Sequence, residues 1–389
     1  MGEDVVLIAY SEIGIKSPPV RRILEHRLSR NIANSLKLAG VKNAKIRRIQ
    51  GRLIVEGGKQ EAIVKIAANV FGVTSATYAT KVSSELDEII KETLDVAVYS
   101  IQNDQTFAVK ARRVGQHTFT SLDIVKKVGG EILNHLKSRK IKVNLNNPDA
   151  VIQIEVRDKD AYIYLRTARG PSGLPFGSQG RLVGLFSGGI DSPVAAWFMM
   201  KRGANVKLLF LDQRPFVGDD YYNRALSVAE KLRKYIPSKR YSLYIAPMGK
   251  IMEEIRKSVP VKLTCIICKR MMYRIACGLA EEMEADGIVT GENLGQVASQ
   301  TLANLKVLDE ASNLPVYRPL IGFEKMQIVD WAKKISTYNN SITPIHGCTS
   351  VPAKPATKAN LEEVLVAERK ISYDGLVSKA LENIVHFEI

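Results

Sequence analysis

The first part of the chain contains both the short apolar runs of strands and the three-to-four-residue spacing of helices. VVLIAY (5–10) is an apolar run typical of a buried strand. From Val20 the apolar residues recur every three or four positions as far as Gly40, which predicts an amphipathic helix with a glycine at its end. Two β-like runs, AKIRRI and RLIVEG, a helix over roughly 60–71 and the strand SATYATKV follow. This β-α-β-β-α-β order predicts a ferredoxin-like α+β domain.

A second α+β block follows with a different order of elements. DEIIKETLDVAVYSI and SLDIVKKVGGEILNHLKSRK have helical periodicity, and Ser121 stands where the second helix would have its N-cap. TFAVKARRV, AVIQIEV and AYIYLRT are strand-like. Residues 168–180, ARGPSGLPFGSQG, are rich in Gly, Pro and Ser and predict a linker.

Beyond Arg181, short apolar runs alternate with helical segments. RLVGLF, NVKLLFL, YSLYIA and GIVTG are separated by helix candidates near 192–202, 219–235, 248–257 and 268–285. This alternation predicts an α/β domain in which helices cover both faces of a doubly wound parallel sheet. The sequence thus predicts three domains and a linker, with the ranges 1–58, 59–167, 168–180 and 181–389.

The composition adds a basic charge and few cysteines to this picture. The 389 residues carry a net charge of +16, and residues 1–180 hold 28 Lys and Arg against 18 Asp and Glu. Such an excess favours a polyanionic partner, most simply nucleic acid, although a merely soluble basic surface is the alternative. No apolar run is long enough to span a membrane, and the acidic start does not resemble a secretory signal. Four cysteines in so long a chain fit a reducing cytoplasm rather than a disulfide scaffold.

The segment LFSGGIDSPVAAW (185–197) predicts an anion-binding turn between the first strand and first helix of the α/β domain. Glycines let successive backbone N–H groups face an anion, and the helix adds its positive N-terminal end. Ser187 and Ser192 can donate hydrogen bonds, whereas Asp191 would repel a phosphate unless Mg²⁺ stood between them. The segment is neither GxxxxGK[ST] nor GxGxxG. A tight turn without a ligand is the alternative.

SGGxDS resembles the PP-loop of the ATP pyrophosphatases, which are adenine nucleotide alpha hydrolase-like proteins. Three further segments, CKRMMYRIA, TGENLGQVASQTLANL and HGCTSVPAKPATKA, resemble the tRNA sulfurtransferases that make 4-thiouridine. SEIGIK is similar to the ferredoxin-like domain of that family, and FAVKARR with the following helix is similar to its RNA-binding THUMP domain. The resemblance covers essentially the whole chain. It implies a ferredoxin-like domain, a THUMP domain and a PP-loop catalytic domain, in that order.

The resemblance also implies site residues. Asp191, Lys269 and Cys348 match catalytic positions, and a lysine can stabilise negative charge that develops on the α-phosphate. A solvated helix lysine is the alternative for Lys269. The residues that match nucleotide contacts are Leu185, Phe186, Ser187, Gly188, Gly189, Asp191, Ser192, Phe210, Leu211, Lys269, Gly291 and Gln300.

The implied reaction has two steps. ATP, with Mg²⁺, adenylates O4 of the uridine at position 8 of tRNA and releases pyrophosphate. A sulfur nucleophile then attacks C4 and expels AMP, which is a far better leaving group than the original oxygen. Two other functions stay open: a PP-loop enzyme that amidates a small metabolite or thiolates another tRNA site, and a non-catalytic tRNA-binding protein.

The sulfur source is the least determined part of the reaction. The chain ends at Ile389, which leaves no room for the rhodanese domain that carries the persulfide in some members of the family. Cys265 and Cys268 form a CxxC pair and, with Cys348, could hold a [4Fe–4S] cluster, as the resemblance implies for members without rhodanese. The alternatives are a zinc site completed by His346, a dithiol that reduces a Cys348 persulfide, and plain core cysteines. Cys277, in an apolar helix, is assigned to packing.

The basic residues of the first half are candidates for RNA contacts. Arg112 and Arg113 lie where the family carries a basic patch, and we assign them to tRNA phosphates, with a solvated face as the alternative. Further candidates are Lys16, Arg21 and Arg22. The expected partners are tRNA and a sulfur donor, either sulfide or a cysteine desulfurase. A homodimer and a role in thiamine thiazole synthesis stay open.

Overall fold

The computed structural model describes residues 2–389, which form two compact units. The first unit ends at Ser172 and the second spans Gly173–Ile389. The strands of the first unit are β1 (Glu3–Ala9), β2 (Lys45–Ile49), β3 (Arg52–Glu56), β4 (Ser75–Ser83), β5 (Thr106–Val114), β6 (Lys142–Val143), β7 (Ala150–Arg157), β8 (Asp160–Tyr164) and β9 (Ala168–Arg169). Its helices are α1 (Pro18–Leu38), α2 (Gln60–Ala67), α3 (Leu86–Ser100) and α4 (Ser121–His135), with short 3₁₀ turns at Glu12–Ile15 and Lys137–Arg139.

The two predicted α+β blocks of the first unit share one sheet. Its strand order is β2-β3-β1-β4-β8-β7-β5-β6, and β9 pairs with β4 beside this path. The blocks join where β4 pairs with β8, for example at Thr80 opposite Ile163. Because β9 pairs antiparallel with β4, residues 168 and 169 of the predicted linker belong to this sheet. Helices α3 and α4 pack their apolar sides on the second block and form its core.

The N-cap of α4 differs from the prediction. Thr120, not Ser121, caps the helix: its Oγ1 accepts a hydrogen bond of 3.2 Å from the backbone N–H of Asp123, and the Asp123 carboxylate accepts one of 2.8 Å from the N–H of Thr120. This reciprocal capping box satisfies two backbone N–H groups at once. An N-cap at Ser121 would need an acceptor side chain at position 124 instead of 123 to form the same box.

The second unit has the predicted α/β order. Its strands are β10 (Arg181–Leu185), β11 (Asn205–Asp212), β12 (Ser242–Pro247), β13 (Ile288–Val289), β14 (Val316–Tyr317) and β15 (Val385–Glu388). Its helices are α5 (Asp191–Lys201), α6 (Asp219–Leu232), α7 (Gly249–Ser258), α8 (Thr264–Glu282), α9 (Leu302–Asp309), α10 (Lys325–Lys334), α11 (Tyr338–Ser341), α12 (Leu361–Glu368) and α13 (Tyr373–Glu382), and short 3₁₀ turns span Arg233–Tyr235, Val261–Leu263 and Ala298–Gln300.

The sheet of the second unit has the order β14-β13-β10-β11-β12-β15, and all its pairs are parallel except that of β12 with β15. One group of helices, α5, α6, α10 and α11, packs together, and a second group packs around α8. Because β10, β11 and β13 are parallel, their carboxyl ends meet at one edge of the sheet, where ligands bind in such folds. The predicted fold class is confirmed.

Helix α8 begins earlier than predicted. The sequence indicated a start near residue 268, but the helix begins at Thr264, so Cys265 and Cys268 lie in its first turns rather than before it. The helix is buried along most of its length, and its buried apolar residues extend through the CxxC pair. None of the helices within residues 2–389 combines the length and apolar character that crossing a bilayer requires.

Candidate functional site

The glycine-rich turn after β10 is held by its own serines. The backbone N–H of Ser187 donates a 3.1 Å hydrogen bond to Oγ of Ser192, and the two hydroxyl oxygens lie 3.3 Å apart. The N–H of Gly189 lies 3.4 Å from Oγ of Ser187. Helix α5 begins at Asp191, directly after the turn, so its free N–H groups face the same space. The turn has the architecture of an anion-binding loop.

Two glycines allow close backbone contacts around this turn. Gly188 has a φ of +69°, and a Cβ there would lie 2.5 Å from Cα of Ala225 in α6. A Cβ on Gly291 would lie 2.9 Å from the backbone nitrogen of Ser192. These two positions accept only glycine because the backbones of α5 and α6 already fill the space that a side chain would need.

The turn opens onto a cavity of about 370 Å³, a size that suits a small ligand. Ten of the twelve predicted nucleotide contacts line this cavity, and Gly188 and Gly189 belong to the turn beside it. The predicted residues that line it are Leu185, Phe186, Ser187, Asp191, Ser192, Phe210, Leu211, Lys269, Gly291 and Gln300. The lining combines aliphatic and aromatic side chains with charged and hydroxyl groups, a combination that suits a ligand with an apolar ring and charged phosphates.

Two residues that the sequence did not indicate hold the carboxylate of Asp191. Nζ of Lys325 lies 2.7 Å from Oδ1, and the side-chain amide of Gln296 donates a 3.1 Å hydrogen bond to Oδ2. Lys325 is the first residue of α10, so two helices bring opposite charges together at the mouth of the turn. Lys325 therefore places a cation next to Asp191, beside the position where phosphates would bind.

Lys269 forms an ion pair with a buried carboxylate. Its Nζ lies 3.2 Å from Oε1 of Glu292, whose side chain is only 6% exposed. Oε2 of Glu292 accepts hydrogen bonds from the Tyr273 hydroxyl at 2.5 Å, the Arg318 guanidinium at 2.8 Å and the Thr290 hydroxyl at 3.1 Å. Glu292 and its three hydrogen-bond partners thus fix the direction of the Lys269 side chain, which lines the cavity.

Burial and charge act in opposite directions on Glu292. Desolvation alone would raise the pKa of this carboxyl, but Lys269, Tyr273 and Arg318 outweigh it and leave the pKa lowered. The carboxylate is therefore ionised at neutral pH and can pair with the ammonium group of Lys269. Glu292 lies within the TGENLGQVASQT segment, but its link to Lys269 could not be read from the sequence.

The three predicted sulfur-bearing residues, Cys265, Cys268 and Cys348, line the same cavity as the turn. All four cysteines are free thiols. Burial, followed by the nearby thiols of Cys265 and Cys348, raises the pKa of Cys268 to about 12, and Gln213 donates a 3.2 Å hydrogen bond to its sulfur. Burial, then Cys348, also raises the pKa of Cys265. At neutral pH both residues of the CxxC pair are therefore thiols rather than thiolates.

The segment that carries Cys348 is anchored to the region just before and at the start of α6. The backbone N–H and Nδ1 of His346 lie 2.8 and 2.9 Å from the carboxylate of Asp220, and the N–H of Thr349 donates to the carbonyl of Phe216 at 3.0 Å. The His346 side chain is 93% exposed and lies outside the cavity lining, so it does not complete a zinc site with the thiols. Cys277 lies in the hydrophobic core, as predicted, with its sulfur 3.1 Å from the Ser312 hydroxyl.

In the first unit, the two arginines assigned to RNA lie next to each other on β5. Neighbouring strand residues point to opposite faces of a sheet, so Arg112 and Arg113 do not form one patch. Arg112 is exposed and lies opposite Glu155 in the register of β5 with β7. Arg113 is half-buried and donates a 3.0 Å hydrogen bond to the carbonyl of Gly115.

A parallel sheet with a serine- and glycine-rich anion turn after its first strand, and no Walker-type lysine in that turn, defines a PP-loop nucleotide-binding protein. Comparison with protein families agrees. The family described as thiamine biosynthesis protein (ThiI) matches residues 177–373, the THUMP domain matches 83–166, and the ThiI ferredoxin-like domain matches 5–77. The domain boundary predicted between residues 58 and 59 lies inside the last of these ranges.

Individual proteins extend the match over the whole chain. It is 39% identical to the probable tRNA sulfurtransferase of Methanosarcina mazei, in an alignment that covers 97% of this chain and 94% of that protein. It is 38% identical to the probable tRNA sulfurtransferase of Methanosarcina acetivorans, with coverages of 97% and 92%. The crystal structure of a 4-thiouridine synthetase–RNA complex with bound ATP superposes with a TM-score of 0.88 at 33% identity and covers 100% of both chains. The chain belongs to the tRNA sulfurtransferase (ThiI) family, which confirms the resemblance seen in the sequence.

Proposed function

We propose that the protein is an ATP-dependent tRNA sulfurtransferase that converts uridine at position 8 of tRNA to 4-thiouridine. One observation carries the proposal: the anion-binding turn, Lys269 and Cys348 face a single cavity. A nucleotide held by the turn and a sulfur atom delivered by the cysteine segment would therefore meet at the same place. The names of the relatives and the RNA and ATP of the superposed 4-thiouridine synthetase support the same reaction.

In the first step the cavity binds ATP through its phosphates and its base. The N–H groups of the turn and of the first turn of α5 bind the phosphates, and the apolar residues of the lining, such as Phe186 and Phe210, receive the adenine. Lys269, held by Glu292, faces the negative charge that develops as O4 of the uridine attacks the α-phosphorus and pyrophosphate leaves. The products are an adenylated uridine and pyrophosphate.

Asp191 fits a magnesium ion that binds together with ATP. Mg²⁺ usually binds through one or two carboxylates together with substrate phosphates, rather than in a cage of protein ligands. Asp191 supplies one carboxylate that lines the cavity next to the turn. The ion would neutralise phosphate charge there, and Lys325 and Gln296 orient the carboxylate.

In the second step sulfur attacks C4 of the adenylated uridine and AMP leaves. Cys265, Cys268 and Cys348 line one cavity, which supports a shared role in delivering this sulfur. Among residues 2–389, however, no three His, Cys, Asp or Glu side chains are gathered as a metal-binding group. A [4Fe–4S] cluster differs from a single ion because each cysteine binds a different iron atom, so Cys265, Cys268 and Cys348 are the residues that would hold one. In the dithiol alternative, Cys265 and Cys268 reduce a Cys348 persulfide, release sulfide and become a disulfide.

The test of the overall function is nucleoside analysis of tRNA from a strain that lacks the gene. We expect 4-thiouridine to be absent, to return with the wild-type gene, and to stay absent with Asp191→Ala. A small-molecule amidating enzyme predicts a normal nucleoside profile in the deletion strain. A non-catalytic tRNA-binding protein predicts that wild type and Asp191→Ala behave alike.

The test of the sulfur source is purification without oxygen. A cluster gives visible absorption and iron, and both are lost in Cys265→Ala. A colourless, iron-free and active protein that depends on both Cys265 and Cys268 would support the dithiol instead. The free thiols fit a reducing cytoplasm, and sedimentation analysis of the purified protein tests the homodimer.

A further inference from the structure

The helices of the second unit carry a set of lysines stacked on aromatic rings. Four Nζ atoms lie within about 6 Å of a ring centroid, the range of a cation–π contact. The pairs are Lys201 with Trp197 (5.4 Å) and with Trp331 (5.5 Å), Lys234 with Tyr235 (5.1 Å), Lys333 with Tyr338 (5.3 Å) and Lys334 with Trp331 (4.7 Å). We call this set the lysine–aromatic face.

The rings join Lys201, Lys234 and Lys334 into one surface, and Lys333 is the neighbour of Lys334 on α10. The ring of Trp197 lies 5.3 Å from that of Trp331 and 5.9 Å from that of Tyr235, measured between centroids. Nζ of Lys234 donates a 3.1 Å hydrogen bond to Oγ of Ser336, just beyond the end of α10. The C-terminal ends of α5, α6 and α10 are therefore side by side, and the aromatic rings restrict where the ammonium groups can go.

The charge of this surface is strongly positive. Besides the four lysines, the exposed Arg202 and Lys231 lie at the same helix ends, while Glu230 and Asp330 are the acidic residues in the C-terminal halves of α5, α6 and α10. No carboxylate within residues 2–389 forms an ion pair with Lys333 or Lys334. Burial, followed by the charge of the nearby Lys231, lowers the pKa of Lys234.

The same helices begin at the nucleotide cavity. Asp191 is the first residue of α5, and Lys325, which binds it, is the first residue of α10. At a rise of 1.5 Å per residue, helices of 11 and 10 residues place their C-terminal ends roughly 15 Å from the cavity. A nucleic acid that presents a base to the cavity would have phosphates within that distance.

We propose that the lysine–aromatic face binds the phosphate backbone of tRNA, in addition to any contact made by the first unit. The inference rests on the proposed function, since it assumes that tRNA is the substrate. Lys333 and Lys334, which form no ion pair with a carboxylate within residues 2–389, lie with Lys201 and Lys234 on rigid helices, and such a set of cations matches a regularly charged polyanion, whose binding releases condensed counterions. Such contacts position an RNA without reading its sequence.

The experiment measures tRNA affinity of the full chain at several KCl concentrations between about 50 and 200 mM. The double variant Lys333→Gln/Lys334→Gln should lower the steepness of log K against log [KCl] by about one to two, because each lost phosphate contact removes about one from the slope. Lys333→Arg/Lys334→Arg keeps the charges and should keep the wild-type slope. The matched control is Lys257→Gln/Lys379→Gln, which removes two exposed lysines from α7 and α13.

Two measurements separate the possible failures. ATP affinity of each variant, measured alongside, should equal that of the wild type and shows that the second unit is intact. If the wild type binds tRNA and restores 4-thiouridine but the Gln variant keeps the slope of the control, the lysine–aromatic face does not bind RNA, and an acidic protein partner becomes the better occupant. If the wild type neither binds tRNA nor restores 4-thiouridine, the proposed function itself is overturned.

Discussion

At the scale of single residues, the charged side chains of the site are oriented by ion pairs and hydrogen bonds with neighbouring side chains. Asp191 is held by Lys325 and Gln296, and Lys269 by Glu292, so each predicted catalytic group has a partner that fixes its direction. In a cavity with apolar walls, such fixed charges act more strongly than they would in water, and they need no rearrangement during the reaction.

Replacement of Lys325 tests the first of these pairs. Lys325→Gln removes the cation 2.7 Å from Asp191 while leaving a side chain that can still donate a hydrogen bond. We expect tRNA-dependent AMP formation to fall by about 100-fold, as when one preorganised donor is removed from a site. Lys306→Gln, an exposed lysine of α9, is the matched control. Turnover of Lys325→Gln within a few-fold of that control would show that Asp191 does not need the cation.

Replacement of Glu292 tests the second pair through pH. Its pKa is lowered in the fold from 4.5, so the ionised carboxyl stabilises the protein above that pH, and the stabilisation is lost as the pH falls through the lowered pKa. Glu292→Gln leaves Lys269 and Arg318 without their carboxylate and should lower the unfolding free energy at neutral pH by about 3 kcal/mol.

Urea unfolding at neutral pH and again below the pKa of Glu292 checks this expectation. The difference between wild type and Glu292→Gln should shrink in acid, because the wild-type carboxyl is then protonated as well. Glu282→Gln, at the exposed end of α8, is the control and should change the unfolding free energy little at either pH. Equal stability of Glu292→Gln and wild type at neutral pH would contradict the role given to this network.

The sequence predicts the residues that define a local pattern and misses those that act across the fold. Ser187 to Ser192 were found because their glycines and hydroxyls are consecutive, and Lys269 because it lies in a family-like segment. Lys325 lies 134 residues from Asp191, and no local spacing connects the two. A contact of that kind is created by the sheet, which brings the starts of α5 and α10 together.

At the scale of elements, the turn depends on how closely α6 approaches it. Gly188→Ala would place a Cβ 2.5 Å from Cα of Ala225 and would force a positive φ of 69° on an alanine. The left-handed conformation costs about 1–2 kcal/mol, and overpacking adds about 1–3 kcal/mol. We expect thermal unfolding at a lower temperature and no measurable ATP binding.

Gly189→Ala is the matched control for that substitution. A Cβ on Gly189 would lie 3.4 Å from Oγ of Ser187, an ordinary contact distance. ATP binding by Gly189→Ala should therefore exceed that of Gly188→Ala by far, as calorimetry with ATP can show. Equal behaviour of the two variants would mean that the contact between α6 and the turn is not what limits position 188.

Elements within a clear apolar run or helical period were predicted well, whereas most of the shortest elements were not. The four main parallel strands and the first three helices of the second unit lie close to their predicted positions. Strands β14 and β15 have only two and four residues, too few to show a period of two, and they are defined by the neighbours they pair with. The start of α8 was misplaced because an apolar run continues unbroken across CxxC.

At the scale of the whole molecule, the positive charge is divided between the two units. Residues 1–180 have an excess of ten basic residues and the rest of the chain an excess of six. The sequence assigned RNA binding to the first half because its excess is larger. The placement of the side chains shows that a basic residue does not always supply a free charge. In the first unit Arg52 and Arg157 form ion pairs with Glu155, whereas Arg112 is exposed. In the second unit the lysines at the end of α10 are exposed.

The two arginines of β5 should contribute differently to tRNA binding. Arg112→Gln removes an exposed charge, so tRNA affinity should fall and the slope of log K against log [KCl] should become shallower by about one. Arg113→Gln removes a guanidinium that donates to the carbonyl of Gly115, so it should loosen that turn and leave the salt slope unchanged. Both variants lose one charge from neighbouring positions, so each is the control for the other. Equal slopes for the two would show that net charge, rather than the face of β5 on which an arginine lies, governs tRNA binding by the first unit.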